Sequence, residues 1–429
     1  MLRYNIEKRG FMKQKNYILH RLFLGILIGL LAGGVICLYR YLMTICDKAL
    51  NQHILPFLHS GTPFALPLWC VGLIVLAFIV HMVIRWESDA RGGGIPHAQK
   101  EVEEGQDSTW DRVIIAKLIT APLCILAGFS LGKTGPAIEF GAMAGKGIAT
   151  ITHRIKRLFL YQPQPKIPTV EATRAGIAAG LSALFHAPVA GIFFTLEKLK
   201  KTRNISLITI LSASVTAFYV SITVYDHTPI VPFSLTAHTI IDYACFSVLG
   251  IFMGISGTAY ANSLSYFTKK LSTRNGFSQL TLWTVLFVLA GIVGFYLPEI
   301  TGGGTNLFVT MLTPSSTLRL LCLLVFGKYL FSMISSGSGL PGGTVFPLLT
   351  VGGCLGQCLG MAIQLFFPTL EITPLNLVIP GMAGFFTSVI GAPLTGVFLL
   401  CEFTCQYDNF LPLAITCGIS HFVAKSLKK

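Results

Sequence analysis

Eight runs of apolar residues, at about 17–45, 66–85, 113–131, 204–224, 240–266, 279–297, 317–335 and 374–400, are each long enough to enter or cross a bilayer. Lipid supplies no hydrogen-bond partner for a peptide group, so such runs must satisfy their backbone internally. About 20 apolar residues in a helix span the hydrocarbon layer. A mean hydropathy of +0.69 and only 12% charged residues agree. The chain therefore reads as an all-α, polytopic membrane protein. Between the long runs lie shorter ones near 93–100, 135–151, 172–198 and 339–367, broken by Gly and Pro. They read as partial spans that stop near the midplane, where irregular backbone is tolerated only beside a cavity or inside protein.

Charge places the ends. The net charge of +14 would suggest nucleic acid in a soluble protein, but here the cations flank spans, and no nucleic-acid partner is expected. Arg3, Lys8, Arg9, Lys13 and Lys15 precede the first run, which puts the N-terminus in the cytoplasm. Lys198, Lys200, Lys201 and Arg203 form a second basic connection, and Lys425, Lys428 and Lys429 a third, on the same side. The first run is too long for a cleaved signal and reads as an anchor. The eleven cysteines, among them Cys354 with Cys358 and Cys401 with Cys405, lack a carboxylate or His to complete a metal set. Neither a metal nor a cofactor is expected.

Within this apolar chain, Gly132-Lys133-Thr134-Gly135-Pro136-Ala137-Ile138-Glu139-Phe140 stands out. Proline suits the first turn of a helix, where its missing N–H has no intrahelical partner. A helix that starts at membrane depth aims unpaired N–H groups and a positive dipole end at whatever precedes it, which is the chemistry of an anion site. The motif does not stand alone. Residues 187–197 (APVAGIFFTLE) and 392–402 (APLTGVFLLCE) share Ala, Pro, Gly, Phe and Glu at an offset of 205. Gly135 and Gly343 recur at nearly the same offset. Duplicated halves with matching glycine breaks mark a repeat-built transporter or channel. The expected division is a cytoplasmic segment at 1–16, a first membrane repeat at 17–225, a linker at 226–236, a second repeat at 237–425 and a basic end at 426–429.

Three glycine-rich turns precede candidate half-helices: Gly92–Pro96, Gly132–Pro136 and Gly342–Pro347. Together with Pro298-Glu299-Ile300-Thr301-Gly302-Gly303-Gly304 and the two Ala-Pro-x-x-Gly segments, they resemble the CLC family of chloride channels and proton-coupled chloride antiporters. That family's signatures are GSGIP, G(K/R)EGP and GxFxP. The resemblance spans roughly residues 20–425. It implies an inverted-repeat architecture of tilted and broken helices, in a plasma membrane of the bacterial inner-membrane type. It also implies a homodimer in lipid, each subunit holding its own pathway for chloride or a similar monovalent anion. The anion-binding positions it implies are Gly93, Gly94, Ile95 and Pro96, then Lys133, Thr134, Gly135 and Pro136, then Thr344, Val345 and Phe346.

The departures bear on function. Gly93 stands where the family has Ser, so no hydroxyl reaches the anion there. Thr134 stands at the gate position in place of Glu, and Thr has no protonation change near neutral pH. Lys198 occupies the internal proton-site position. Phe346 falls one place later than in GxFxP. On this resemblance the chain is expected to stop short of the family's last helix, and Tyr407, in the loop after Glu402, is not expected to replace that helix's Tyr. The expected function is a chloride channel or uncoupled anion transporter, not an enzyme. Proton-coupled exchange through Glu139, Glu197 or His97 is the alternative. A membrane-embedded enzyme would need convergent nucleophiles or bases, whereas the glycine turns offer amides. The choice among chloride, nitrate, bromide and fluoride stays open. Gly141–Lys146 is one residue short of a phosphate loop and reads as a helix-packing stripe. His97 and His186 read as turn residues, each with titration as the competing role. Glu139 and Glu402 lie in apolar helices, where a carboxylate is costly.

Overall fold

The structure, a computed structural model, describes residues 2–159, 169–199, 206–226, 229, 239–272, 275–312, 317–368, 370 and 373–428, without the side chains of 2–16, 155–159, 305 and 312. Lys200, Lys201, Arg203, the loop with Pro163, Pro165 and Pro168, most of the 226–236 linker, Lys429 and the N-terminal basic side chains lie outside this description. Among the described residues the elements are helices and helical turns, with one isolated β-bridge. The order is α1 (Leu2–Lys48), α2 (Leu55–Leu58), α3 (Ala65–Trp86), α4 (Ile95–Glu103), α5 (Trp110–Leu126), α6 (Thr134–Phe159), α7 (Thr169–Phe185), α8 (Pro188–Lys198) and α9 (Leu207–Val224). Then follow α10 (Ile240–Leu271), α11 (Gly276–Tyr296), α12 (Thr305–Leu312), α13 (Leu318–Gly337), α14 (Val345–Phe366), α15 (Val378–Ile390), α16 (Pro393–Thr404) and α17 (Phe410–Leu427). Local chemistry starts many of them. Thr239 and Asp242 form a reciprocal capping box on α10, Ser206 and Thr317 cap α9 and α13, and Pro opens α8 and α16.

The succession α3–α9 recurs as α11–α17, down to the junctions. Gly92 and Gly94 precede α4 with positive φ, and Gly302 and Gly304 do the same before α12. Gly128 follows α5 and Gly339 follows α13, again left-handed. Between α7 and α8 the left-handed residue is His186 (φ 53°), and between α15 and α16 it is Gly391 (φ 79°). The caps that follow, Ala187 (φ −124°, ψ 72°) and Ala392 (φ −130°, ψ 82°), share one conformation.

Several expected spans are corrected. The run at 374–400 is two helices, because Gly391 turns left-handed and Pro393 cannot continue the ladder. The run at 113–131 is cut at Leu126, ahead of left-handed Gly128. Conversely, the segment near 135–151 is not broken, and the one near 339–367 is broken only at its start, by the turn that runs from left-handed Gly339 to Thr344; beyond these points α6 and α14 run on through their glycines. Those glycines seat neighbouring backbones. A Cβ on Gly141 would lie 2.1 Å from the Gly176 carbonyl of α7, and one on Gly356 2.2 Å from the Leu377 carbonyl. α17 was not among the expected runs, because Cys417, Ser420 and His421 dilute its apolar character. Eight described helical segments are long and apolar enough to cross a membrane.

The chain forms two compact units. The first comprises residues 1–38, 98–111 and 137–227. Its centre is α7, buried from Glu171 to Phe185, with α8 and α9 packed on it. Gly25, Gly29 and Gly33 of α1 lie against Ser212, Ala213 and Val220 of α9. Arg21 donates to the buried Glu171 carboxylate, which also accepts from Thr209 at 3.1 Å. Lys146 is held by Glu101 at 2.8 Å, so the Gly141–Lys146 stretch serves helix packing and an ion pair. The second unit comprises residues 39–97, 112–136 and 228–429. There α15 is buried almost throughout, with α10, α14 and α17 around it, and α3 pairs with α11.

Candidate functional site

The three glycine turns expected from the sequence meet, and all of them belong to the second unit. Gly132 donates its N–H to the Gly343 carbonyl at 2.5 Å, and Gly343 returns the bond at 2.7 Å. Gly92 donates to Gly339 at 3.0 Å and accepts from Gly342 at 3.5 Å. Gly135 lies between the other two turns: an added Cβ would be 1.7 Å from the Gly93 carbonyl oxygen and 3.0 Å from the Gly343 Cα. Only a residue without a side chain permits that approach.

Helices begin at this junction. α4 starts at Ile95, α6 at Thr134 and α14 at Val345, so the unpaired first-turn amides of three helices originate among the clustered turns. Gly94, Thr134, Gly135, Pro136 and Val345 are buried, whereas Gly93, Ile95, Lys133, Thr344 and Phe346 are partly exposed and Pro96 is exposed. Thr134 is 1% exposed, and its hydroxyl has no hydrogen-bond partner. A buried hydroxyl left this way costs about 1–3 kcal/mol unless something binds it.

A fourth turn supports the others. Gly303, in Gly302–Gly304, approaches the Phe346 ring and the Leu131 carbonyl. The turn is held from behind by Lys328 of α13, fully buried, whose ammonium donates to the carbonyls of Ile300 (2.9 Å), Thr301 (3.1 Å) and Gly302 (2.7 Å). Lys117 of α5 is its counterpart in the first repeat, 211 residues earlier and equally buried. Reading motifs missed this pair. The available signal was one Lys inside each of two matched apolar runs. Ser130, just before Gly132, is tied to α13 by Ser332 at 2.8 Å and Ser335 at 3.3 Å.

The remaining candidates are dispersed. Glu139 lies in the second turn of α6, fully buried, while Glu197 and Lys198 end α8 half-buried. The Lys198 carbonyl accepts from Gln99 at 3.4 Å. His97 is half-buried in α4. His186 is a turn residue, its Nε2 3.1 Å from Ser221 and its ring edge-on to Phe218. Glu402 is buried in the last turn of α16. Tyr407 is exposed in the turn before α17.

The family model for voltage gated chloride channels matches residues 71–425. A relative from Vibrio cholerae serotype O1 (strain M66-2), named H(+)/Cl(-) exchange transporter ClcA, is 29% identical over 92% of this chain and 84% of its own. One of the same name from Salmonella agona (strain SL483) is 30% identical over 82% and 74%. Among solved structures, a slow cyanobacterial Cl−/H+ antiporter superposes with TM-score 0.86 at 23% identity, covering 95% of this chain and 94% of that one. A CLC-type fluoride/proton antiporter superposes with TM-score 0.74 at 23% identity, covering 95% of each chain. With the family's turns, duplicated helix order and match extending over most of its length, this chain belongs to the voltage gated chloride channel family, the CLC family.

Proposed function

We propose that the chain is an anion transporter that conducts passively, the anion lying against the amides of Gly94, Ile95, Lys133, Thr134, Gly135, Thr344 and Val345. Gly93, Pro96, Pro136 and Phe346 shape that place. Thr134 carries the reading. It begins α6 at the meeting of the turns, buried, with an unpartnered hydroxyl that suits an acceptor-rich anion. Fixed dipoles bind a dehydrated anion without the full charge that would trap it. Thr has no proton to exchange near neutral pH, and Lys198 supplies no acid at the second coupling position. Each subunit of a homodimer would carry one such pathway, between repeats at 17–225 and 237–425. The N-terminus would face the cytoplasm of a bacterial inner membrane.

Purified protein in liposomes under a chloride gradient tests this. Rapid efflux without proton movement is expected. Proton uptake against its own gradient, in fixed ratio to chloride, overturns the passive reading. A second reading, proton-coupled exchange, draws on the names of the relatives. It requires Glu139, Glu197 or His97 to carry the proton, and of the three single substitutions the one at the carrier would then abolish proton movement.

A further inference from the structure

The end of α3 and the start of α11 border an open cavity of about 580 Å³ in the second unit. Its polar lining is His81, Arg85, Arg91, Ser88, Asn275 and Gln279, with no carboxylate. In two of these groups a buried atom lacks a hydrogen-bond partner. His81 and Gln279 are each 7% exposed, and the His81 Nδ1 and Gln279 Nε2 atoms make no hydrogen bond. Arg91 is anchored, donating to the Ser272 carbonyl at 2.6 Å and lying over the Trp283 ring. Arg85 is exposed in the last turn of α3. α11, 21 residues long, begins at this cavity behind Asn275, whose side chain does not cap its first amides. Two guanidiniums, two side chains that each hold an unbonded buried atom, and a helix N-terminus border one cavity whose described lining holds no carboxylate, which describes a place for an anion.

The rest of the lining says where that anion comes from. Phe78, Met82 and Phe277 line the same cavity and are 52%, 47% and 83% exposed on helices long and apolar enough to span the membrane. An occupant therefore meets both cations and exposed apolar side chains. We propose that the cavity holds the phosphate of an anionic phospholipid, its acyl chains lying over Phe78, Met82 and Phe277. Arg85, His81 and Gln279 would bind the phosphate oxygens. Basic pockets between transmembrane helices bind headgroups by this chemistry.

The test compares the intact protein in detergent with phosphatidylglycerol, with phosphatidylcholine and with inorganic phosphate alone. Phosphatidylglycerol should raise the apparent Tm by about 3–8 °C more than phosphatidylcholine does. Native mass spectrometry should show one retained phosphatidylglycerol per chain. Arg85→Gln and, separately, Gln279→Leu should each remove most of the selective shift and the retained lipid while chloride efflux persists. Equal shifts with both lipids, or unchanged retention in both variants, overturn the proposal. An equal shift with inorganic phosphate alone overturns the lipid assignment.

Discussion

At Gly135 one hydrogen atom separates a fitting turn from a collision. Gly135→Ala would drive a methyl group into the Gly93 carbonyl, and neither partner is a flexible side chain. We expect chloride efflux to fall at least ~10-fold, or the folded yield to collapse, as overpacking of a tight contact costs about 1–3 kcal/mol or more. Gly93→Ala is the control: its Cβ would meet the Gly342 oxygen at 3.5 Å, an ordinary contact, and efflux should stay within about twofold. Thr134→Glu tests the proposed gate position. If the anion lies there, a charged carboxylate competes with it and the neutral acid at lower pH yields the place. Efflux of that variant should be low at pH 7 and rise as pH falls through about 4–6, while the parent's stays flat. A flat profile in both would separate this position from the anion path. These turns were legible in the sequence because Gly beside Pro interrupts an apolar run, and Thr134 because it stands inside the second such turn. Lys117 and Lys328 were not, since a lone Lys in such a run carries no motif.

Between elements, the informative contact is Lys328 bracing the turn before α12 from α13. Lys328→Met keeps much of the side chain's length but strips two buried carbonyls and a half-buried one of their donor. Thermal unfolding in detergent should show a loss of about 2–4 kcal/mol. An unchanged Tm would mean water takes over the carbonyls. The same scale explains the misjudged spans. Hydropathy registers how apolar a stretch is, not the sign of φ at its glycines. Gly391 at φ 79° ends a helix inside a run that reads as continuous, whereas the glycines of α6 and α14 keep helical geometry and serve contact. His186 shows the limit further: a non-glycine residue holds the left-handed position that Gly391 holds in the second repeat, secured by Ser221 and Phe218.

For the whole molecule, the duplicated order of α3–α9 and α11–α17 was foreshadowed by the two Ala-Pro segments. The reason is physical: a Pro at a helix start and a small cap before it leave a readable trace. The side chains that pack those helices leave none. If each subunit holds a complete pathway, liposomes with mixed dimers of parent and a Gly135→Ala chain should keep about half the efflux per dimer. Complete loss in the mixed dimers would point to a shared pathway. The reciprocal bond between Gly132 and Gly343 also bears on synthesis. Its two peptide groups leave the ribosome 211 residues apart, so the earlier one waits in the translocating chain without its mate. An unmated peptide in oil is costly, and this stretch must linger near water or a helper protein until the later one arrives. Biogenesis stays unfinished at that spot until nearly four-fifths of the polypeptide has been made.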